Sequence, residues 1–169
     1  MTILILSSVA TGVIATAAML ATVYLPLAWR GHPCDVVGML GSALAGGREG
    51  PRATYLGGVA FLAGGVAFAF LYGLLVAALL RFGGEMPSLA LGLDLPAAID
   101  LVYPLAGLAL GFAHGAVVTL LMTIVVTEHH PLHRFRGGMS FVVPLMLGHL
   151  AFGAVAGFFQ HQFLQLLGA

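Results

Sequence analysis

Seven histidines stand in a chain of 169 residues that is 60% hydrophobic and only 7% charged. Imidazole is therefore its main source of ligating and proton-accepting chemistry. His149, Gly153, Gly157 and His161 follow one another at four-residue spacing, which puts them on one helix face. His114 stands beside Gly107, Gly111 and Gly115, a second stripe with that spacing. Folding the two segments into a hairpin about His133 brings His114 opposite Phe152, with His149 a few residues away in depth. Polar side chains in the middle of apolar helices are costly and are functional candidates. Three chemistries fit the pair. The imidazoles form a structural hydrogen bond, to each other, to a carbonyl or to Thr119. Or they ligate a haem or chlorophyll-type pigment, glycine making room for the ring. Or they serve a proton or quinone site. Zinc and di-iron sites need three or four protein ligands and suit the pair poorly.

A second cluster is Glu128, His129, His130 and His133, four potential metal ligands within six residues. The competing reading, which the residues favour, is a helix stop. Pro131 ends the helix, and histidine suits the negative end of its dipole; Glu128 then pairs with Arg134 or Arg136. In Gly31-His32-Pro33-Cys34-Asp35 the residue types of a nucleophile set are present, but near-adjacent residues seldom align as one. Gly46-Gly47-Arg48-Glu49-Gly50 lacks the Lys and Ser/Thr of a phosphate-binding loop. The single cysteine, Cys34, excludes an intramolecular disulfide framework.

The elements that must position these residues are helices in a membrane. A soluble domain is about 25% charged, and a small chain cannot hide this much apolar surface. Six arginines and no lysine make no basic patch, so nucleic acid is excluded as a partner and the lipid bilayer is expected. About 20 apolar residues cross a bilayer. Four stretches qualify, at Ile3–Trp29, Tyr55–Phe82, Ala97–Thr127 and Met139–Leu167. The first is too long for a cleaved signal and reads as a retained span. The expected fold is all-α, a polytopic four-helix bundle forming one membrane domain.

Arg30, Arg48 and Arg52 lie in loop one and Arg134 and Arg136 in loop three, while loop two has Arg81 against Glu85, Asp94 and Asp100. The positive-inside rule then places loops one and three in the cytoplasm and both termini in the periplasm. Short shared patterns suggest two parallel two-helix repeats: Gly12, Thr16 and Met19 match Gly115, Thr119 and Met122, and Gly57, Ala60 and Phe61 match Gly148, Ala151 and Phe152. Loop two, Gly83 to Pro96, is apolar at its centre and reads as an interfacial segment or a plain connection. Small-residue stripes let helix backbones approach. They occur in every span: Ser8, Gly12 and Thr16; Gly65, Ala69 and Gly73; Gly107, Gly111 and Gly115; Gly153 and Gly157.

Gly31-His32-Pro33-Cys34-Asp35 leading to Met39-Leu40-Gly41, with Leu147-Gly148-His149-Leu150-Ala151-Phe152-Gly153 in the last span, resembles small four-helix bacterial inner-membrane proteins of unknown function. The resemblance implies four spans and a bacterial source, includes His149 in the pattern, and implies no activity. With little chain outside the spans and no convincing catalytic set, the leading expectation is a non-catalytic accessory or assembly subunit of a larger respiratory or photosynthetic membrane complex. Its partners would be other membrane-protein subunits. The alternatives are a haem-, pigment- or quinone-binding protein using His114 and His149, and a small transporter or channel.

Overall fold

The structure, a computed structural model, describes residues 2–25, 35–82 (backbone only for 79–82), 100–136 and 141–166. Its long elements are α1 (Thr2–Tyr24), α3 (Pro51–Phe82), α4 (Val102–Leu121) and α5 (Val142–Leu166), with a short α2 (Val36–Leu44) between the first two. Among the described residues the regular elements are all helical, and four helices are long and apolar enough to cross a membrane. Their outer faces carry large exposed apolar side chains such as Leu6, Leu71, Phe112 and Leu147, a surface suited to hydrocarbon and not to water.

Helix starts follow local chemistry. Pro51 opens α3, where its missing N–H is no loss, and Pro104 and Pro144 fall in the first turns of α4 and α5 for the same reason. The helix of the third span, α4, opens at Val102, whose N–H is accepted by the Asp100 carboxylate at 3.0 Å. Beyond Leu121 the helix widens into a π-helical stretch, Met122–Thr127. Thr123 bonds the Thr119 carbonyl, and Thr127 in turn bonds that of Thr123. Such back-bonding competes with the backbone ladder and loosens it.

Loop one holds a helix that hydrophobic-span counting passes over. Asp35 caps α2 by accepting the Gly38 N–H at 2.8 Å, and Tyr24 donates its hydroxyl to the same carboxylate at 3.1 Å. The cap therefore ties α2 to the end of α1. A β-carbon at Gly41 would strike the Ala53 carbonyl, and one at Gly57 the Val37 carbonyl, so α2 lies directly on the start of α3. Asp35→Ala is expected to cost about 1 kcal/mol, read as faster amide hydrogen exchange confined to α2.

The long helices do not form a symmetric bundle. α5 packs along both α4 and α1, and α1 packs on α3, while the backbones of α3 and α4 stay apart. A parallel repeat would exchange α1 with α4 and α3 with α5, turning the close α1–α5 packing into an equally close α3–α4 packing, whereas α3 and α4 meet mainly through side chains. The two hairpins are each closely packed, but their mutual packing does not carry the expected twofold. The cause is where small residues meet. The stripe of α1 faces that of α3, with Gly12 against the Val66 backbone and Gly65 against Thr16. Gly107, Gly111, Gly153 and Gly157 bring α4 and α5 into backbone contact: β-carbons there would collide with the carbonyls of Gly153, His149, Gly107 and Tyr103 respectively. Gly115 leaves room for the His149 side chain. The glycine face of α4 is consumed by α5, and none of it is left for α3.

Loops one and three share one end of the molecule. Arg134 reaches Glu49 at 3.1 Å, and His130 is buried against α2. Loop two, Trp29, Arg30 and the segment from His32 to Cys34 lie outside the described residues.

Candidate functional site

The two mid-span histidines meet as the hairpin fold requires. The rings of His114 and His149 stand edge to face with centroids 4.8 Å apart, and Phe152 is 6.0 Å from His114. His149 is buried, 4% exposed, and its Nδ1 lies 2.7 Å from the Leu145 carbonyl one turn back. A carbonyl only accepts, so Nδ1 carries the proton and Nε2 keeps its lone pair. Thr119 takes no part: its hydroxyl is buried without a partner.

The third member of the site comes from α3. The Tyr72 hydroxyl lies 3.0 Å from His114 Nδ1, and Phe68 stacks on the same imidazole with centroids 4.2 Å apart. Tyr72 is itself buried, packed edge-on against Phe152 at 5.9 Å. These side chains bridge α3 to α4 where the backbones do not touch. Span counting missed Tyr72, although a tyrosine within an apolar run signals a hydroxyl in need of a partner.

Between α3 and α4, on the side toward α2, this bridge closes off a groove of about 130 Å3. Gly64, Phe61, Val118 and Met122 form its half-exposed mouth, with Thr16 and Leu145 at its floor and Leu40 of α2 at its far end. The lining is almost wholly apolar; its polar features are His114, His149 and the unpartnered Thr16 hydroxyl. An apolar cavity of about 150 Å3 holds one benzene ring, so the groove is the size of a single six-membered ring. Bis-histidine ligation of a macrocycle needs the imidazoles on opposite faces of it. Here the two rings are in contact, centroids 4.8 Å apart, which leaves no space for a macrocycle between them.

No protein family, curated protein or solved structure compared with the chain matches it.

The other sequence candidates lie apart from this groove. His161 stacks on Tyr103 at 3.6 Å near the opposite end of the spans and meets Gln165 at 3.0 Å. Glu128, His129, His130 and His133 do not converge. His130 turns inward: its Nε2 faces the Met39 carbonyl at 3.0 Å, and its Nδ1 accepts the Leu132 N–H at 3.0 Å. Both nitrogens are thus engaged by backbone. His129 is exposed and bonds the Ile124 carbonyl, and Glu128 and His133 are exposed. Among the described residues no three His, Cys, Asp or Glu side chains gather as a metal site would require. The ion pairing expected of Glu128 also goes elsewhere, Arg134 to Glu49 and Arg136 to the His130 carbonyl. His130 acts as a clasp between loop three and α2, joined to Ser42 at 3.3 Å. His130→Ala is expected to cost about 2 kcal/mol, because it orphans buried backbone groups; limited proteolysis should then cut near α2.

A polar contact that sequence reading also missed lies in the other half of the spans. Gln160, fully buried, donates from Nε2 to Ser7 Oγ at 3.0 Å, and Gly73 makes the space for it. Gln160 is adjacent to His161 and one helical turn beyond Ala156, so spacing alone marks it as core.

Proposed function

We propose that this chain is a multi-pass protein of a bacterial inner membrane that binds a quinone-type ligand, a six-membered ring with carbonyl or hydroxyl groups on an apolar tail. The arginine distribution supports loops one and three in the cytoplasm and the termini in the periplasm. The observation that carries the ligand reading is the apolar groove, open between α3 and α4, that ends on His114 and His149, with the Tyr72 hydroxyl holding His114 from behind. Its volume suits one ring, its mouth faces where lipid would be, and a tail leaving it would lie in hydrocarbon. His149 Nε2, with Nδ1–H committed to Leu145, accepts a hydrogen bond from a ring hydroxyl. The Tyr72 hydroxyl, bonded to His114 Nδ1, fixes the orientation of that ring at the groove.

The test is titration of the protein in lipid nanodiscs with a short-tailed quinone and its quinol, followed by ultraviolet difference spectra. Saturable binding near one ligand per chain is expected. Tyr72→Phe and His149→Ala should each weaken it about tenfold, the loss of one hydrogen bond in an apolar site. Non-saturable partitioning, or affinity indifferent to both substitutions, would sink the reading. A visible absorption band in the gently purified protein would put a haem or pigment in its place.

This reading is compatible with an accessory role in a respiratory or photosynthetic complex, where quinones are mobile carriers. The glycine stripes no longer argue for a docked partner helix, since α4 and α5 use them on each other. Native electrophoresis from source membranes separates the cases. Comigration with larger subunits establishes the accessory role, and a lone particle removes it.

A further inference from the structure

Independently of the groove, a second cavity of about 300 Å3 lies at the loop-one end, between the close of α2 and the start of α3. Arg48 and Arg52 line it, with Glu49 on the rim and Leu44 and Leu56 toward the spans. Both arginines are exposed, and neither makes an ion pair among the described residues. The Glu49 carboxylate is turned to Arg134, at 3.1 Å, so it does not neutralise them. The first turn of α3 carries no acidic residue, and its N-terminal N–H groups add the positive end of a helix dipole.

The cavity also has the setting of a membrane–water boundary. Leu44 is 57% exposed and Tyr55, one turn into α3, is 70% exposed. An outward tyrosine at the start of an apolar span belongs at headgroup level. Positive charge on one side and bare leucine on the other match a molecule with a phosphate head and an acyl body.

We propose that Arg48, Arg52 and the first turn of α3 bind a phosphate-bearing anion, supplied by the headgroup of an anionic phospholipid whose chains cover Leu44 and Leu56. Arginine presents a fork that grips phosphate oxygens in pairs, which a diffuse charge does not.

The test is native mass spectrometry of the detergent-solubilised protein titrated with phosphatidylglycerol, phosphatidylcholine or inorganic phosphate. Phosphatidylglycerol should bind in preference to phosphatidylcholine, and millimolar inorganic phosphate should not displace it. Arg48→Gln with Arg52→Gln should weaken phosphatidylglycerol about thirtyfold, roughly a factor of five per interfacial arginine, and leave phosphatidylcholine unchanged. Arg48→Lys with Arg52→Lys keeps the charge, serves if the glutamine pair fails to fold, and should lose about threefold, the part due to the fork. Equal phosphatidylglycerol binding by wild type and both paired variants overturns the site. Displacement by inorganic phosphate overturns the lipid as its source.

Discussion

Gly153→Leu is expected to destabilise the helical core by about 3 kcal/mol or more, beyond an ordinary overpacking substitution. A β-carbon at this position would enter the Gly107 carbonyl and stand 2.8 Å from the Gly111 Cα. Those atoms are backbone on both sides, so no side chain can swing away. α4 and α5 would have to separate along their whole contact, which also dismantles the His114–His149 meeting point. In a bilayer this loss is not softened by hydrophobic pressure, because lipid is as apolar as leucine and packing carries the association. The measurement is reversible unfolding in mixed micelles, followed by helical signal and by α4–α5 crosslinking. Gly58→Ala is the control: a β-carbon there meets nothing within 4 Å, so the change should be neutral or slightly stabilising. Equal behaviour of the two variants would mean that α4 and α5 do not meet as described.

Gly64→Leu is expected to abolish ligand binding in the groove, by a hundredfold or more, while leaving the fold intact. Gly64 lines the groove, yet a β-carbon built on it finds open space. A leucine there grows into the volume that the ligand ring would occupy and into nothing else. The cavity is only about 130 Å3, so one leucyl side chain removes most of it. Binding of the short-tailed quinone and the thermal midpoint are measured together. Lost binding with an unchanged midpoint is the expected result. Retained binding would place the ligand elsewhere, since no ring and leucine fit the groove at once.

The pairing of His114 with His149 was legible because both sit on glycine-marked faces of consecutive spans, folded as a hairpin about His133. Register across a hairpin follows from counting residues. Tyr72 escaped that counting because it arrives from α3, which is joined to α4 by the long loop two, and no register can be carried across such a connection. The metal reading of Glu128, His129, His130 and His133 failed for a related reason. Nearness in sequence says nothing about direction, and the π-helical widening before Glu128 with the stop at Pro131 sends His130 inward and His129 outward.

Composition by itself determined that the long helices present apolar surface outward, since 7% charge leaves no other surface to present. Glycine spacing determined which helix faces could approach closely. The tertiary structure alone decided how those faces were shared. α5 takes the glycines of α4, α1 packs on α3 at Gly12 and Gly65, and α3 and α4 are left joined by side chains over an open groove. Backbone contact between helices is exclusive: one stripe serves one neighbour. Which neighbour wins depends on all the helices at once, and no stretch of sequence carries that information locally.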